Sequence, residues 1–294
     1  MDCAVGDTDT FSVPTYSRVS METTRGLSRL RTAFEEVRIT DALEQRRVAM
    51  VHEADDDEDD GEDTAILVAD GIPLESWNRF AMLKKLPLGL QLRQLVWDDG
   101  NVWIVEFTIS PPHEAAADEC SRNFMILRRY GGGLGHMTLE YPHQPTYSAD
   151  YTFRPRHNLP GIQIPRNIAY GDWVMVIVEV LHSQQWGQVH RKVAVYRQRP
   201  GVEYILCVKM SNQLHHWSYE LYDVRNNQPP PDIFYTEANR QAFYLGTVGN
   251  DVHVVSLETR RVLGLQQGAP LPQDCPATID IDVVEMARQV SSLM

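Results

Sequence analysis

The sequence predicts an α/β fold over residues 65–294, a mixed β-sheet core flanked by helices, preceded by a disordered and helical amino-terminal extension over residues 1–64. Three observations predict it. Trp173 to Leu181 (WVMVIVEVL) is almost continuously apolar and β-branched, as a strand buried on both faces requires. A helix-period segment, Gln184 to Gln198, follows, and then a second strand-like run, Val202 to Met210 (VEYILCVKM). A strand–helix–strand unit of this kind joins parallel neighbours by a right-handed crossover. From Asn101 onward, strand and helix patterns alternate, which is the signature of the α/β class.

Taken in order, residues 1–25 are rich in Ser, Thr and Asp with few large apolar groups, so they are expected to be disordered. From about 27 to 50 the spacing of Leu30, Phe34, Val37 and Leu43 predicts an amphipathic helix. Glu53 to Asp63 (EADDDEDDGED) carries nine acidic side chains and is expected to form an exposed linker, with the domain boundary near Thr64. Asn101 to Ile109 reads as a strand after a turn at Asp99-Gly100. Pro112 to Tyr130 reads as a helix entered through prolines, which suit a first turn. Gly131 to Gly135 (GGGLG) lacks the lysine and Ser/Thr of a phosphate-binding loop and reads as a turn or hairpin. Strands follow at Leu134–Leu139 and Tyr147–Phe153, and later at His216–Val224, Phe243–Val248 and Val252–Leu257.

The net charge of −13 is concentrated in the acidic run, and −13 + 9 leaves −4 for the rest of the chain. The folded part is therefore near neutral, which excludes a strongly basic DNA-coating protein. Cys3, Cys120, Cys207 and Cys275 lie far apart without a C-x-x-C pair, so neither a disulfide framework nor a zinc site is expected. No charged start followed by an apolar stretch marks a secretory signal, and the apolar runs are too short for a bilayer. An intracellular protein is expected, cytoplasmic or nuclear, without a membrane partner.

Two residues stand out chemically. Glu179 interrupts an otherwise apolar strand, and a carboxylate buried there needs a cation or a metal ion. Lys192 lies on the ridge of Val189 and Tyr196 in the next helix, so it points toward the core. The two suit a structural ion pair. They equally suit a site once Asp150, at the start of an adjacent strand, is brought beside them. Two converging carboxylates, Asp150 and Glu179, hold Mg²⁺ or Mn²⁺ through oxygen ligands, and a lysine beside them orients an attacking water.

The stretch VIVEVLHSQQWGQVHRKVAVYRQRPGVEYILCV resembles the core motif of the Uma family of restriction endonucleases, within the PD-(D/E)XK nuclease superfamily. The motif positions are Glu179, Val180, Leu181, Ser183, Lys192, Tyr196, Gly201, Val202, Glu203 and Tyr204. Upstream, ADYTFRPR is similar to the family's Asp-bearing strand, and DDGNVWIVEFTISPPHE to its turn, strand and first-helix segment. The resemblance covers roughly residues 90–225, and IDIDVVEM matches a short terminal element weakly. Leu181 stands where a strict E-x-K motif has lysine, His182 is an insertion, and Asp172 lies too early for the family's Pro-Asp.

The resemblance implies a restriction-endonuclease-like fold and a metal-dependent nuclease, with Asp150 and Glu179 as metal ligands and Lys192 displaced onto the helix. It further implies an acidic residue on the first helix. Glu114, beside His113, is the candidate and Glu106 the rival. Arg154, Arg156 and Arg191, with Arg166, Arg197 and Arg199 nearby in sequence, are candidates for nucleic-acid phosphates or are solvated surface groups. The alternative is a catalytically inactive endonuclease-like domain that binds nucleic acid or protein. A homodimer and a protein partner for the amino-terminal helix are further expectations.

Overall fold

In a computed structural model of the chain, which describes residues 20–36, 44, 65–106, 110–166, 168–182, 184–224, 240–247 and 252–294, strands and helices alternate as expected. The order is α1 (Met21–Glu35), β1 (Ile66–Ala69), α2 (Leu74–Ala81), β2 (Leu95–Asp98), β3 (Asn101–Ile104), α3 (Pro111–Asn123), β4 (Gly131–Gly133), β5 (Met137–Leu139), β6 (Tyr147–Ala149) and β7 (Tyr151–Pro155). Then come β8 (Val176–Leu181), α4 (Trp186–Tyr196), β9 (Tyr204–Met210), β10 (His216–Asp223), β11 (Gln241–Tyr244), β12 (Val254–Glu258), α5 (Thr259–Val262), β13 (Thr278–Asp282) and α6 (Val283–Ser292). The acidic run at 53–63 lies outside the described residues.

The fold is mixed α/β around a six-stranded sheet of order β11-β10-β9-β8-β7-β4. β8 and β9 run parallel and are joined through α4, while the other neighbours are antiparallel. Every residue of β8 is buried. Because side chains alternate along a strand, Val176, Val178 and Val180 enter one core with α3, α6 and the β12–β13 pair. Ile177 and Leu181 enter the other, with α1, α2, α4 and the three-stranded sheet β1-β3-β2. Glu179 therefore shares the face that α4 covers.

The described part of the amino-terminal helix starts earlier in the chain than the spacing predicts. Ser20 caps it, its hydroxyl accepting the Thr23 N–H at 3.1 Å, so residues 21–25 are helical rather than disordered. A side-chain cap of this kind satisfies one of the orphan N–H groups of a first turn. Thr23, Gly26, Leu30 and Phe34 form its buried face. Phe34 stacks on Phe80 of α2 at 5.3 Å, and Ser76 of α2 donates to the Thr23 carbonyl at 3.0 Å. Gly26 permits this approach, since a Cβ there would lie 2.3 Å from Ser76 Oγ.

The glycine run is a strand and not the expected turn. Gly131 to Gly133 pair with Phe153 to Pro155 of β7 and form one edge of the large sheet. The rings of Phe153 and Tyr151 lie across it, and a Cβ on Gly131 or Gly133 would come within 2.3 or 2.4 Å of them. The chain continues through β5 and β6 as an antiparallel pair before re-entering the sheet at β7. Among the described residues no helix is long and apolar enough to cross a membrane.

Candidate active site

The site begins where β7 leaves β8. Their pairing ends at Tyr151 opposite Val178, so the Val180 N–H two residues on needs another acceptor. Asp150 supplies it: its Oδ2 accepts that N–H at 2.8 Å. Its Oδ1 accepts from Arg93 Nη1 at 3.2 Å and lies 3.5 Å from His113 Nε2. Asp150 is 3% exposed. Burial alone would raise its pKa, but His113, then Lys192 and the Val180 N–H, hold the carboxyl well below the usual carboxylate range.

Glu179 and Lys192 meet on the α4 side of the sheet. Lys192 Nζ donates to Glu179 Oε2 at 3.0 Å, Tyr196 Oη donates to Oε1 at 2.7 Å, and both members of the ion pair are 1% exposed. Lys192 Nζ also donates to the Arg93 carbonyl at 3.0 Å. Burial pushes the Glu179 carboxyl upward against the pull of Lys192. The sequence reading of a core-facing lysine one element after a central-strand glutamate corresponds to this contact.

Glu114 stands in the first turn of α3, whose Ser110 cap accepts the His113 N–H. It is half exposed to a cleft of about 280 Å³ lined by Glu114, Gly132, Gly133, Gly135, His136 and Asp150. Desolvation acts to raise its pKa, yet the Arg93 guanidinium outweighs this and draws the carboxyl below its ordinary value. His113 is buried. Desolvation opposes its protonation, but Asp150 wins and its pKa is raised. Glu106, the rival acid, is buried and accepts the Gln184 N–H at 3.2 Å.

Arg93 is the residue that sequence reasoning missed. It sits in a short 3₁₀ turn, Leu92–Gln94, with no periodicity to flag its direction. Its side chain is 4% exposed and joins Asp150 to Glu114, with Nη2 to Glu114 Oε1 at 2.5 Å. By contrast, the arginines expected at nucleic acid make their contacts elsewhere. Arg154 donates to the Tyr170 and Gly171 carbonyls and lies over the Tyr170 ring. Arg156 donates to the Arg128 carbonyl at 3.1 Å, and Arg191 pairs with Asp98 at 3.3 Å.

The donor set was expected to hold Mg²⁺ or Mn²⁺. Carboxylate oxygens suit such ions, and Asp150 Oδ1 and Glu114 Oε1 do converge on one point. That point is the Arg93 guanidinium, however, and both Glu179 oxygens are engaged by Lys192 and Tyr196. Among the described residues no group of three His, Cys, Asp or Glu side chains is arranged to hold a metal ion. As arranged, the site does not fit one.

His182, next after Leu181, faces Ser110 Oγ with its Nδ1 at 3.1 Å. Burial first, then His113, pushes its pKa down to about 4. Its folded pKa lies below the unfolded value of about 6.5. Its contribution to stability is therefore present above pH 6.5 and lost as the pH falls toward 4. Wild type should lose up to about 3 kcal/mol more than His182→Gln over that window, read by urea denaturation at a series of pH values. Parallel profiles would show that His182 is not buried neutral.

No family model matches the chain, and neither does any curated relative. Among solved structures, one matching chain is described as a "putative nuclease belonging to DUF820" from Anabaena variabilis. It is 11% identical with a TM-score of 0.31, over 49% of this chain and 82% of that one. At that distance no residue role is carried over.

Proposed function

We propose that this chain hydrolyses phosphodiester bonds in nucleic acid, with the reacting phosphate bound at the cleft beside Asp150. The observation that supports this reading is the convergence of Asp150, Glu179 and Lys192. They come from a strand end, a central strand and the following helix, and each is nearly fully buried. Burying three ionisable groups together is costly and is offset here by their hydrogen-bonded partners; such clusters concentrate at functional sites, and a buried Asp–Glu–Lys set is suited to phosphoryl hydrolysis.

In this reading Lys192 Nζ, which donates to Glu179 Oε2 and to the Arg93 carbonyl, turns its remaining hydrogen to the attacking water. Arg93 and His113 would donate to a non-bridging phosphate oxygen; as the water oxygen bonds to phosphorus, its proton passes to Glu114 at the cleft rim, the bond from phosphorus to the leaving oxygen breaks, and that oxygen takes a proton from solvent. A divalent ion, Mg²⁺ or Mn²⁺, would supply charge neutralisation when bound, but it would need the place that Arg93 holds. Arg154 of β7 and Arg156 just after it each donate to backbone carbonyls, and their remaining N–H groups would be free to meet a nucleic-acid backbone.

The test is cleavage of labelled single- and double-stranded DNA and RNA with Mg²⁺, Mn²⁺ or chelator. Wild type is expected to cut at least one substrate, and Asp150→Asn and Glu114→Gln to lower the rate about 10²–10³-fold while remaining folded. A folded wild type that cuts none of them under any condition sinks the proposal. One observation favours a second reading, a domain that binds nucleic acid or protein without cutting. Every oxygen of Asp150 and Glu179 already has a protein partner. Gel-shift binding without product would select it.

A further inference from the structure

The cleft beside Asp150 runs from a closed end to an open mouth. Asp150, Tyr151 and Phe124 at the closed end are 3%, 5% and 2% exposed. Glu114 and His136 at the rim are 44% and 41% exposed, and Met125 at the mouth 54%. One wall is a ridge of α3, where Glu114, Ala117, Asp118 and Ser121 recur at the spacing that places side chains on one helix face. Ala117 and Ser121 are small and leave the space before them open.

The opposite wall is the glycine strand β4, an edge of the large sheet. In an antiparallel pair, positions that exchange hydrogen bonds alternate with positions whose N–H and C=O point away from the partner. The Arg156 N–H donates to the Tyr130 carbonyl at 2.8 Å, and the Leu134 N–H to the Thr152 carbonyl at 3.0 Å. Gly132 is therefore the bonded position between them, and Gly133 turns both backbone groups away from β7. Gly133 is exposed, lines the cleft, and has no partner for those groups among the described residues. Gly131 is buried, so one residue alone offers its backbone here. A peptide adding to a sheet edge needs a run of such residues, whereas a nucleobase needs one donor and one acceptor.

We propose that this cleft takes an unpaired nucleobase, so that the chain acts on single-stranded nucleic acid and discriminates against duplex. This rests on the reading of the Asp150 end as the place of the reacting phosphate. The base next to that phosphate lies between the α3 ridge and β4, against Ala117 and Met125, with its hydrogen-bonding edge toward the Gly133 N–H and C=O. In a duplex that edge is already committed to the complementary base. Flanking phosphates meet Arg128 at the mouth and Arg156, whose Nη2 donates to the Arg128 carbonyl at 3.1 Å. Cations along the backbone beside packing surfaces for the bases are the general arrangement of single-strand binding. A duplex would have to extrude a base to bring a phosphate to so buried a carboxylate, at the cost of unpairing and unstacking.

The test is fluorescence anisotropy of the full chain at one fixed salt concentration, with the label confirmed intact on a gel afterwards. The probes are a labelled single strand, the same sequence as a duplex, and a strand of abasic sites with the same backbone. The single strand is expected to bind at least about ten-fold more tightly than either of the others. Ser121→Trp fills the cleft from the α3 wall, at a position outside the Asp150–Arg93–Glu114 cluster. It should bring single-strand affinity down to that of the abasic strand and leave the abasic affinity unchanged. Ser121→Leu, a smaller filler, covers the case in which the tryptophan variant fails to fold. Duplex or abasic strand bound as tightly as the single strand overturns the proposal, as does a folded Ser121 variant with undiminished single-strand binding. Base-dependent binding that is lost on filling, with no strand cleaved, would overturn the nuclease function and leave the pocket standing. Cleavage by wild type with equal affinity for all three probes would do the reverse.

Discussion

Lys192→Met is expected to destabilise the protein by about 3–5 kcal/mol, because it strands a buried charge. Lys192 and Glu179 are each 1% exposed and 3.0 Å apart. Methionine fills the volume of the lysine stem, so packing is largely kept. What is lost is the ammonium, and Glu179 is left with Tyr196 as its remaining partner. The Arg93 carbonyl also loses its donor, a smaller cost of about 1 kcal/mol. Urea denaturation at neutral pH reads the effect. The double variant Lys192→Met with Glu179→Gln should recover most of the loss, since removing both partners of a buried pair is far less costly than removing one. A single-variant loss below about 1 kcal/mol would mean that the pair is not buried as described.

Phe34→Ala is expected to cost about 3–5 kcal/mol, the range for removing a fully buried aromatic side chain. Phe34 is 1% exposed and stacks face to face on Phe80, which in turn packs on Trp77. The cavity would open at the joint between α1 and α2, where Gly26 and Ser76 already leave no slack. The helix cannot slide to fill it without breaking the Ser76 contact to the Thr23 carbonyl. Equilibrium unfolding gives the loss. A change below about 1 kcal/mol would show that α1 is not seated on α2 in solution.

Local pattern determined a good deal by itself. An apolar, β-branched run is a buried strand wherever it is placed, so β8 was legible, and the helix period and second strand after it fixed α4 and β9 to within a few residues. Glu179 and Lys192 were legible as anomalies, since a charge inside an apolar pattern must meet a partner. Other features depend on contacts between segments distant in the chain. Arg93 lies 57 residues from Asp150 and 21 from Glu114, in a turn with no period to give its direction. The glycine run reads locally as a turn, and it becomes an edge strand because the rings of Tyr151 and Phe153 leave space for nothing larger. Arg154 and Arg156 carry the charge that phosphate binding asks for, and only folding shows that each also donates to a backbone carbonyl. Sequence marked Glu179 and Lys192 as buried charges. The tertiary structure alone decided which cation stands between Asp150 and Glu114, because that choice depends on three segments meeting at one point.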